Sequence, residues 1–440
     1  MKPLSRLQRL WKEWNEQLWF KPAWWGLVAT GVALMASIAN RFVAEGLLPD
    51  IDQQTLRGLL TIIASSMLSV STFSLSILVQ AFSSAAGSAS PRALRVIMAD
   101  DNAQTAIAAF IAAFIYSVIA LMALGVGYYG STGRFVLLLF TVLVMVNVII
   151  MLIRWISTLS RLGRMGYTIE RVEKTAAKAL AEYRQYPLLG GRAAPPADEA
   201  VPGVQVLAER SGHVHHVDMS QLNQLAESLG AEVHLRVRPG SFICAGQPVA
   251  SVDMRQAGRA GDDRPVLDAE ALTRLRGLIE IGADRSFEQD PRFGVVVLGE
   301  IGQRALSAAV NDAGTAITVA GALARVLIDR PPSQPEKADD EVPYPRVFVP
   351  VLDEADFIRD SFSLLQRDAG GVFEVQLRFV KVLEGIAQAN PDSPMADEAR
   401  RAAWNGWLLA RDRLVLAEER DALERAARDV AGRWADAVPA

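Results

Sequence analysis

SSMLSVSTFSLSILVQAFSSAAGSASPR runs from Ser65 to Arg92, inside a stretch without charged residues between Arg57 and Arg92. A helix needs ~20 mainly apolar residues to cross a bilayer core, so this stretch is long enough. It is also crowded with hydroxyls, for which hydrocarbon has no partner. On a helix turning by about 100° per residue, Thr61, Ser65, Ser69, Thr72, Ser76, Gln80 and Ser83 fall on one stripe, each three or four residues after the last. Ile63, Leu68, Val70, Phe73, Leu75, Ile77 and Leu78 fill most of the remainder. The stripe should therefore face protein or water. Ser71 and Ser74 lie off it and are expected to bond back to their own helix carbonyls.

Two readings of the stripe stay open. In one, small polar residues let helices approach closely and bond across the interface. In the other, the stripe lines a pore or cavity. A single four-span bundle encloses too little space for a water path, so conduction needs a homo-oligomer with this span on its axis. The stripe holds no Asp, Glu, Lys or Arg, unlike a proton relay or an ion-coupled pump. Arg57 stands at one end, Arg92 and Arg95 at the other. Rings of arginine at the mouths of a path favour anions.

The chain has 440 residues and is 51% hydrophobic, an excess confined to residues 23–157. From residue 165 onward the composition is that of an ordinary globular protein, so one membrane domain and one soluble region follow. A net charge of -4 with no basic patch among aromatics argues against a nucleic-acid partner. Cys244 is the only cysteine, which excludes an intrachain disulfide.

Four spans are expected: Trp24–Phe42, Leu59–Phe82, Thr105–Gly127 and Phe135–Ile156. The first apolar run lacks a cleavage-site pattern and reads as a retained span. Lys and Arg concentrate in the N-terminal tail, in the loop with Arg92 and Arg95, and after the fourth span at Arg154, Arg161, Arg164 and Arg171. By the excess of basic residues on the inner side, both termini are cytoplasmic in a multi-pass membrane protein. Leu4, Leu7, Trp11, Trp14 and Leu18 give residues 1–22 the pattern of a helix lying in the interface, or one packed on the cytoplasmic region. Ala108, Ala109, Ala112 and Ala113 form a small-residue surface on span three. Asn147 is the deepest amide of span four, and a bond across helices is its expected use.

Residues 165–203 read as a charged helix followed by the linker PLLGGRAAPPADEAVPG. From Val204 to residue 255 the texture becomes β-rich, with the helix-like QLNQLAESLG between strands. Residues 204–253 resemble a barrel-sandwich hybrid, the fold of biotinyl and lipoyl carriers, through SGHVHHV and VRPGSFICAGQPVASV. Such carriers attach their group to a lysine, and no lysine lies between Lys178 and Lys337, so no such cofactor is expected. All four histidines fall here: His213, His215, His216 and His234. His213 and His215 share a strand face and, with Asp218 or Cys244, are weak metal candidates. Their spacing matches no closed zinc site. Ordinary strand residues and a pH-responsive role are the other readings.

The most distinctive run is DRSFEQDPRFGVVVLGEIGQRALSAAVNDAGTA, within a helical region expected over 265–330. It resembles the signature of a family of bacterial membrane proteins, domain of unknown function 2254. The matching residues are Arg285, Gln289 with Asp290, Phe293 with Gly294, Arg304 to Ser307, Asn311 with Asp312, and Thr315 with Ala316. Ser90-Pro91-Arg92 after span two is similar as well. The run departs at Ala308 and Ala313, where the family usually has prolines. The resemblance implies a membrane protein and brings no activity with it. Read from the residues, Arg285, Gln289, Asp290, Arg304, Ser307, Asn311, Asp312 and Thr315 are a polar cluster in an apolar stretch. The cluster is either a salt-bridged helix junction, with Asn311 or Asp312 as an N-cap, or a pocket for a small anion or polar ligand. No nucleophile–base pair is present, and no enzyme is expected.

A second linker is expected over 331–346 and a helical bundle over 347–440. The fold class is then a four-span α-helical membrane domain, 23–164, carrying a cytoplasmic α+β region. The expected function is an oligomeric channel-like protein with span two on the path. The alternative is a membrane-anchored sensor or scaffold that conducts nothing.

Overall fold

The computed structural model describes residues 20–35, 49, 51–98, 101–196, 203–254, 267–329 and 342–437. The chain forms two compact units, Met1–Tyr167 and Thr168–Ala440. The interfacial helix expected over 1–22 lies outside the described residues, except that residues 20–22 begin the first helix.

The first unit contains helices α1 (Phe20–Met35), α2 (Gln53–Ser88), α3 (Ala93–Met98), α4 (Asp101–Gly125) and α5 (Ser131–Leu159). Among the described residues three segments are long and apolar enough to cross a membrane: Gln53–Ser84, Asn102–Gly125 and Ser131–Leu159. The first expected span, 24–42, begins in α1, described for 16 residues, and its continuation toward Phe42 lies outside the described residues. At about 1.5 Å per residue the 36 residues of α2 extend about 54 Å, well beyond a hydrocarbon core of about 30 Å.

Helix α4 is the centre of this unit. Helices α1, α2 and α5 each pack on it. Its alanines make the close approach: Ala103, Ala106, Ala108, Ala113, Ala120 and Ala123 are buried. Of the expected small-residue surface, Ala108 and Ala113 are buried while Ala109 and Ala112 are only partly so. The Tyr116 and Gln53 side chains of the unit find backbone partners. Tyr116 donates to the Leu137 carbonyl at 3.3 Å and meets Thr141 Oγ1 at 3.1 Å. Gln53 Nε2 donates to the Leu124 carbonyl near the end of α4 at 3.0 Å.

The second unit begins within α6 (Met165–Gln185). Its strands are β1 (Arg192–Ala193), β2 (Val204–Leu207), β3 (Gly212–Val217), β4 (Glu232–Leu235), β5 (Phe242–Ile243), β6 (Pro248–Asp253), β7 (Ile279–Gly282) and β8 (Val347–Val349). They form a mixed sheet ordered β1-β8-β4-β6-β2 and a smaller sheet ordered β5-β3-β7. Helix α7 (Met219–Ser228) carries the QLNQLAESLG segment and is capped by Asp218, which accepts from the Gln221 N–H at 3.2 Å. Helix α8 is Ala269–Gly277. Val206, Val214, Leu222, Val233, Val252, Leu275, Ile281 and Val347 share one core between these elements.

This arrangement corrects the expected barrel-sandwich module. Residues 204–255 do not close on themselves. Strand β8 joins the larger sheet from residues 347–349, parallel to β4, and β7 joins the smaller one from 279–282. Part of the expected linker 331–346 is also structure: Tyr344 N–H donates to Gly190 O at 2.9 Å, and Arg346 N–H to Asn223 Oδ1 at 3.0 Å. Residues 331–341 lie outside the described residues.

Helices α9 (Phe293–Leu306) and α10 (Ala313–Ile328) do not form a domain of their own. They pack with α11 (Ala355–Ala369) and α12 (Phe373–Ala389), which pack in turn with α13 (Pro394–Ala410) and α14 (Ala417–Ala431). The short α15 (Arg433–Ala437) ends the described chain. The expected boundary between 265–330 and 347–440 therefore runs through one continuous bundle. Phe357, Phe362, Phe379 and Leu383 fill its middle because each is apolar at helical spacing and wholly buried.

Gly294 sets how close α9 comes to α6. A Cβ at Gly294 would run into Ala176 Cβ and lie 2.6 Å from its Cα. Gly294→Ala must push the helices apart, at a cost of about 1–3 kcal/mol. Thermal unfolding in detergent should show a lower melting temperature than wild type, and an unchanged one would mean that α9 shifts freely.

Candidate functional site

The serine stripe lies on the outside of its unit. Thr61, Ser65, Ser69, Thr72, Ser76, Gln80 and Ser83 are all exposed. The buried face of α2 is made by Leu56, Leu60, Ile63, Met67, Ser71, Ser74 and Leu78. At about 100° per residue the two faces lie on almost opposite sides of the helix. So the stripe does not pack against the other described helices of its own unit. From Thr61 to Ser83 it extends about 33 Å, close to the thickness of a bilayer core.

Most hydroxyls of the stripe are satisfied locally. Thr61 donates to the Arg57 carbonyl at 2.7 Å, Ser65 to Thr61 at 2.9 Å, Ser69 to Ser65 at 3.1 Å, Thr72 to Leu68 at 2.9 Å and Ser76 to Thr72 at 3.0 Å. Ser71, expected to bond back, donates to Met67 O at 2.7 Å. Ser74 does not: it is fully buried, and among the described residues its hydroxyl has no hydrogen-bond partner. Arg57 is exposed at the start of α2, and Arg92 and Arg95 are exposed around its far end. Asn147 departs from expectation. Its amide is exposed near the middle of α5, beside exposed Val146, Ile149 and Ile150, and bonds to no other described residue.

In the second unit the expected polar cluster separates into two places. The first surrounds Asp290, which is 1% exposed. Its carboxylate accepts from Arg285 Nε at 2.8 Å and pairs with Arg285 Nη2 at 2.7 Å. It also accepts from the Arg292 N–H at 3.1 Å. Burial pushes the carboxyl up from its ordinary pKa, and the Arg285 guanidinium pulls against that rise. Gln289 completes the edge of β3: its Oε1 accepts from Val217 N–H at 2.9 Å. Gly240, with φ +93°, lets the β-turn backbone press against the Asp290 carboxylate, where a Cβ would overlap it.

The second place is the turn between α9 and α10, separated from the first by a helix of about 21 Å. Arg304, Asn311 and Asp312 are exposed there. Asp312 is the N-cap of α10: it accepts from Thr315 N–H at 2.9 Å and from Thr315 Oγ1 at 2.6 Å. Those two bonds hold the Asp312 pKa below its ordinary value. Asn311 takes φ +49° to complete the turn, and Ser307 Oγ donates to the Arg304 carbonyl at 2.7 Å. Arg285 and Arg304 therefore do not converge on one anion pocket.

The histidines also fall apart. His213 packs edge-on against Phe242 with ring centroids 5.1 Å apart, and His215 Nε2 contacts the Asp284 carbonyl. Asp218 is engaged as the α7 cap and Cys244 is exposed. Among the described residues the grouping with metal-ligand chemistry is a different one: Glu232, His234 and Asp253, whose ligand atoms all lie within 4.8 Å of one another. Glu232 and Asp253 face each other across the β4–β6 ladder, and His234 follows two residues along on the same face. One imidazole with two carboxylates is a nitrogen–oxygen donor set, suited to zinc or manganese rather than to soft metals.

The family model described as predicted membrane protein, DUF2254, matches residues 15–385. The chain belongs to this family. The uncharacterized proteins Rv1290c of Mycobacterium tuberculosis and Mb1321c of Mycobacterium bovis are each 35% identical to it over 134 residues, 30% of this chain. The match spans only 24% of the length of those relatives. No solved structure matches. The family match takes in both the serine stripe and the Asp290 junction.

Some partners of that junction are invisible in the family signature. Arg238 is buried, donates to the Pro350 carbonyl at 2.6 Å and the Pro187 carbonyl at 2.9 Å, and lies 5.8 Å from the Tyr183 ring centroid. Burial lowers the Arg238 pKa, while Tyr183 and Asp290 counter that. Burial raises the Tyr183 hydroxyl to about 12. Arg292, within the signature run, pairs with Asp356 at 2.6 Å and Asp360 at 2.7 Å on α11.

Asp290→Ala should cost about 3 kcal/mol, the low end for breaking a buried pair, because the Arg285 side chain keeps 19% exposure. Adding Arg285→Met should restore part of that loss in the same unfolding measurement. Ala313 is the first residue of α10, a position where proline's missing N–H costs nothing. Ala313→Pro should stabilise by about 0.4–1 kcal/mol. A lower melting temperature would show that the turn cannot take the family's usual proline.

Proposed function

We propose that the chain is one subunit of an oligomeric channel of the bacterial inner membrane, with both termini in the cytoplasm and α2 lining the path. The observation that carries this reading is the outward-facing serine stripe. It runs the thickness of a bilayer core on the face of α2 that its own unit leaves uncovered. A second chain, or water held between chains, is the natural counterpart of such a face. Asn147 supports the same assembly. An amide near mid-membrane depth with no partner among the described residues gains one when chains associate.

Arg57 at one mouth and Arg92 with Arg95 at the other favour anions. The second unit then serves as vestibule or gate. The protein is not an enzyme in this reading.

One observation favours the rival, a membrane-anchored sensor or scaffold. Hydroxyls bonded back to their own helix can lie against lipid or a packed helix at little cost, without water. Two measurements separate the readings. With Cys244 replaced, a cysteine at Ser69 or Thr72 should react with a membrane-impermeant thiol reagent. Purified protein in liposomes should pass chloride faster than potassium, and Ser69→Leu or Thr72→Leu should cut that flux at least tenfold. Unreactive cysteines and no flux for either ion would move the assignment to the anchored scaffold.

A further inference from the structure

The arginine-bearing end of α5 forms a cleft of about 250 Å³ lined by Asn102, Arg154, Ser157, Thr158, Arg161 and Tyr167. Every one of these side chains can donate hydrogen bonds, and no carboxylate is among the described residues of the lining. Arg154, Thr158 and Arg161 recur at i, i+4 and i+7, so the α5 register and the turn after it turn both guanidiniums to one side. Asn102 comes from the first turn of α4 and Tyr167 from the first turn of α6, so three elements build the walls. Thr158 spends its hydroxyl on the Arg154 carbonyl at 3.0 Å. Among the described residues neither Arg154 nor Arg161 meets an acidic side chain. Two cations held side by side repel each other unless an anion lies between them.

The level of the cleft limits what that anion is. Ile153 and Ile156, beside Arg154, are 63% and 59% exposed and continue the apolar outer face of α5. Arg154 thus stands where a span that crosses hydrocarbon ends. Phosphate chemistry belongs at this depth: planar guanidiniums engage its oxygens in pairs, and a hydroxyl donor takes another. Basic pockets between helices at a membrane face bind lipid head groups in this way.

We propose that this cleft is a phosphate-binding site, for the head group of an anionic phospholipid or for a soluble phosphate. The site does not depend on conduction, and its failure would leave the channel reading untouched.

The test uses the full chain in a neutral detergent. Binding of phosphatidylglycerol, phosphatidylcholine and inorganic phosphate is measured separately by native mass spectrometry and by shift of the melting temperature. Wild type should retain phosphatidylglycerol or phosphate in preference to phosphatidylcholine. Arg154→Gln with Arg161→Gln should weaken that binding at least tenfold. Arg164→Gln removes the same charge outside the cleft and should leave binding within about twofold. Retention of phosphatidylglycerol that inorganic phosphate cannot displace identifies the lipid as the source, and binding of inorganic phosphate alone identifies a soluble ligand. Equal retention of phosphatidylcholine, unchanged binding by the folded double variant, or an equal loss in Arg164→Gln would overturn the site.

Discussion

A polar group taken out of water must bring its partner with it, and both units of this protein are arranged around that requirement. In the first unit the solvent to be excluded from is hydrocarbon. The helices satisfy the backbone, and most hydroxyls of the α2 stripe bond back to carbonyls one turn earlier. Those bonds make a serine-rich span tolerable in lipid. They leave open which way the serines point. Packing decides that: α2 turns Leu56, Leu60, Ile63, Met67 and Leu78 toward α4, and its stripe is left facing outward.

The same rule acts on Asp290 in the second unit. A carboxylate buried to this degree is costly unless cations and N–H donors surround it. Arg285 and the Arg292 backbone supply them directly. Arg292 reaches on to Asp356 and Asp360 of α11, and Gln289 reaches back to Val217 of β3. One short segment, 285–292, thereby ties the smaller sheet to the helical bundle. Gly240 and Gly294, on either side of it, are places where any side chain would hold the layers apart. The first part of the signature, 285–294, is compact because one junction needs all of it.

Local features were legible from residue order. Asp312 caps α10 because a carboxylate precedes an apolar helix by one residue, and that depends on neighbours in the chain. The length and apolarity of the spans are likewise local quantities. The polar cluster was less legible, because spacing along a sequence does not tell whether a helix separates two groups. Helix α9 places Arg304 far from Arg285. The histidines misled for a related reason. His213 and His215 are neighbours on one strand, whereas His234 gathers Glu232 and Asp253 only through the pairing of β4 with β6.

By itself, the sequence determined the membrane-crossing helices, the serine stripe and its period, the glycines and caps, and membership in a family of membrane proteins. Each of these follows from composition or from a repeat of a few residues. Tertiary structure decided what faces what. It turned the stripe away from its own bundle, left Asn147 exposed among apolar side chains, recruited β7 and β8 to complete the sheets, and brought Arg238 near Asp290. Those outcomes depend on contacts between residues tens to more than a hundred positions apart, where burial of apolar surface selects one pairing among many and no local pattern records the choice.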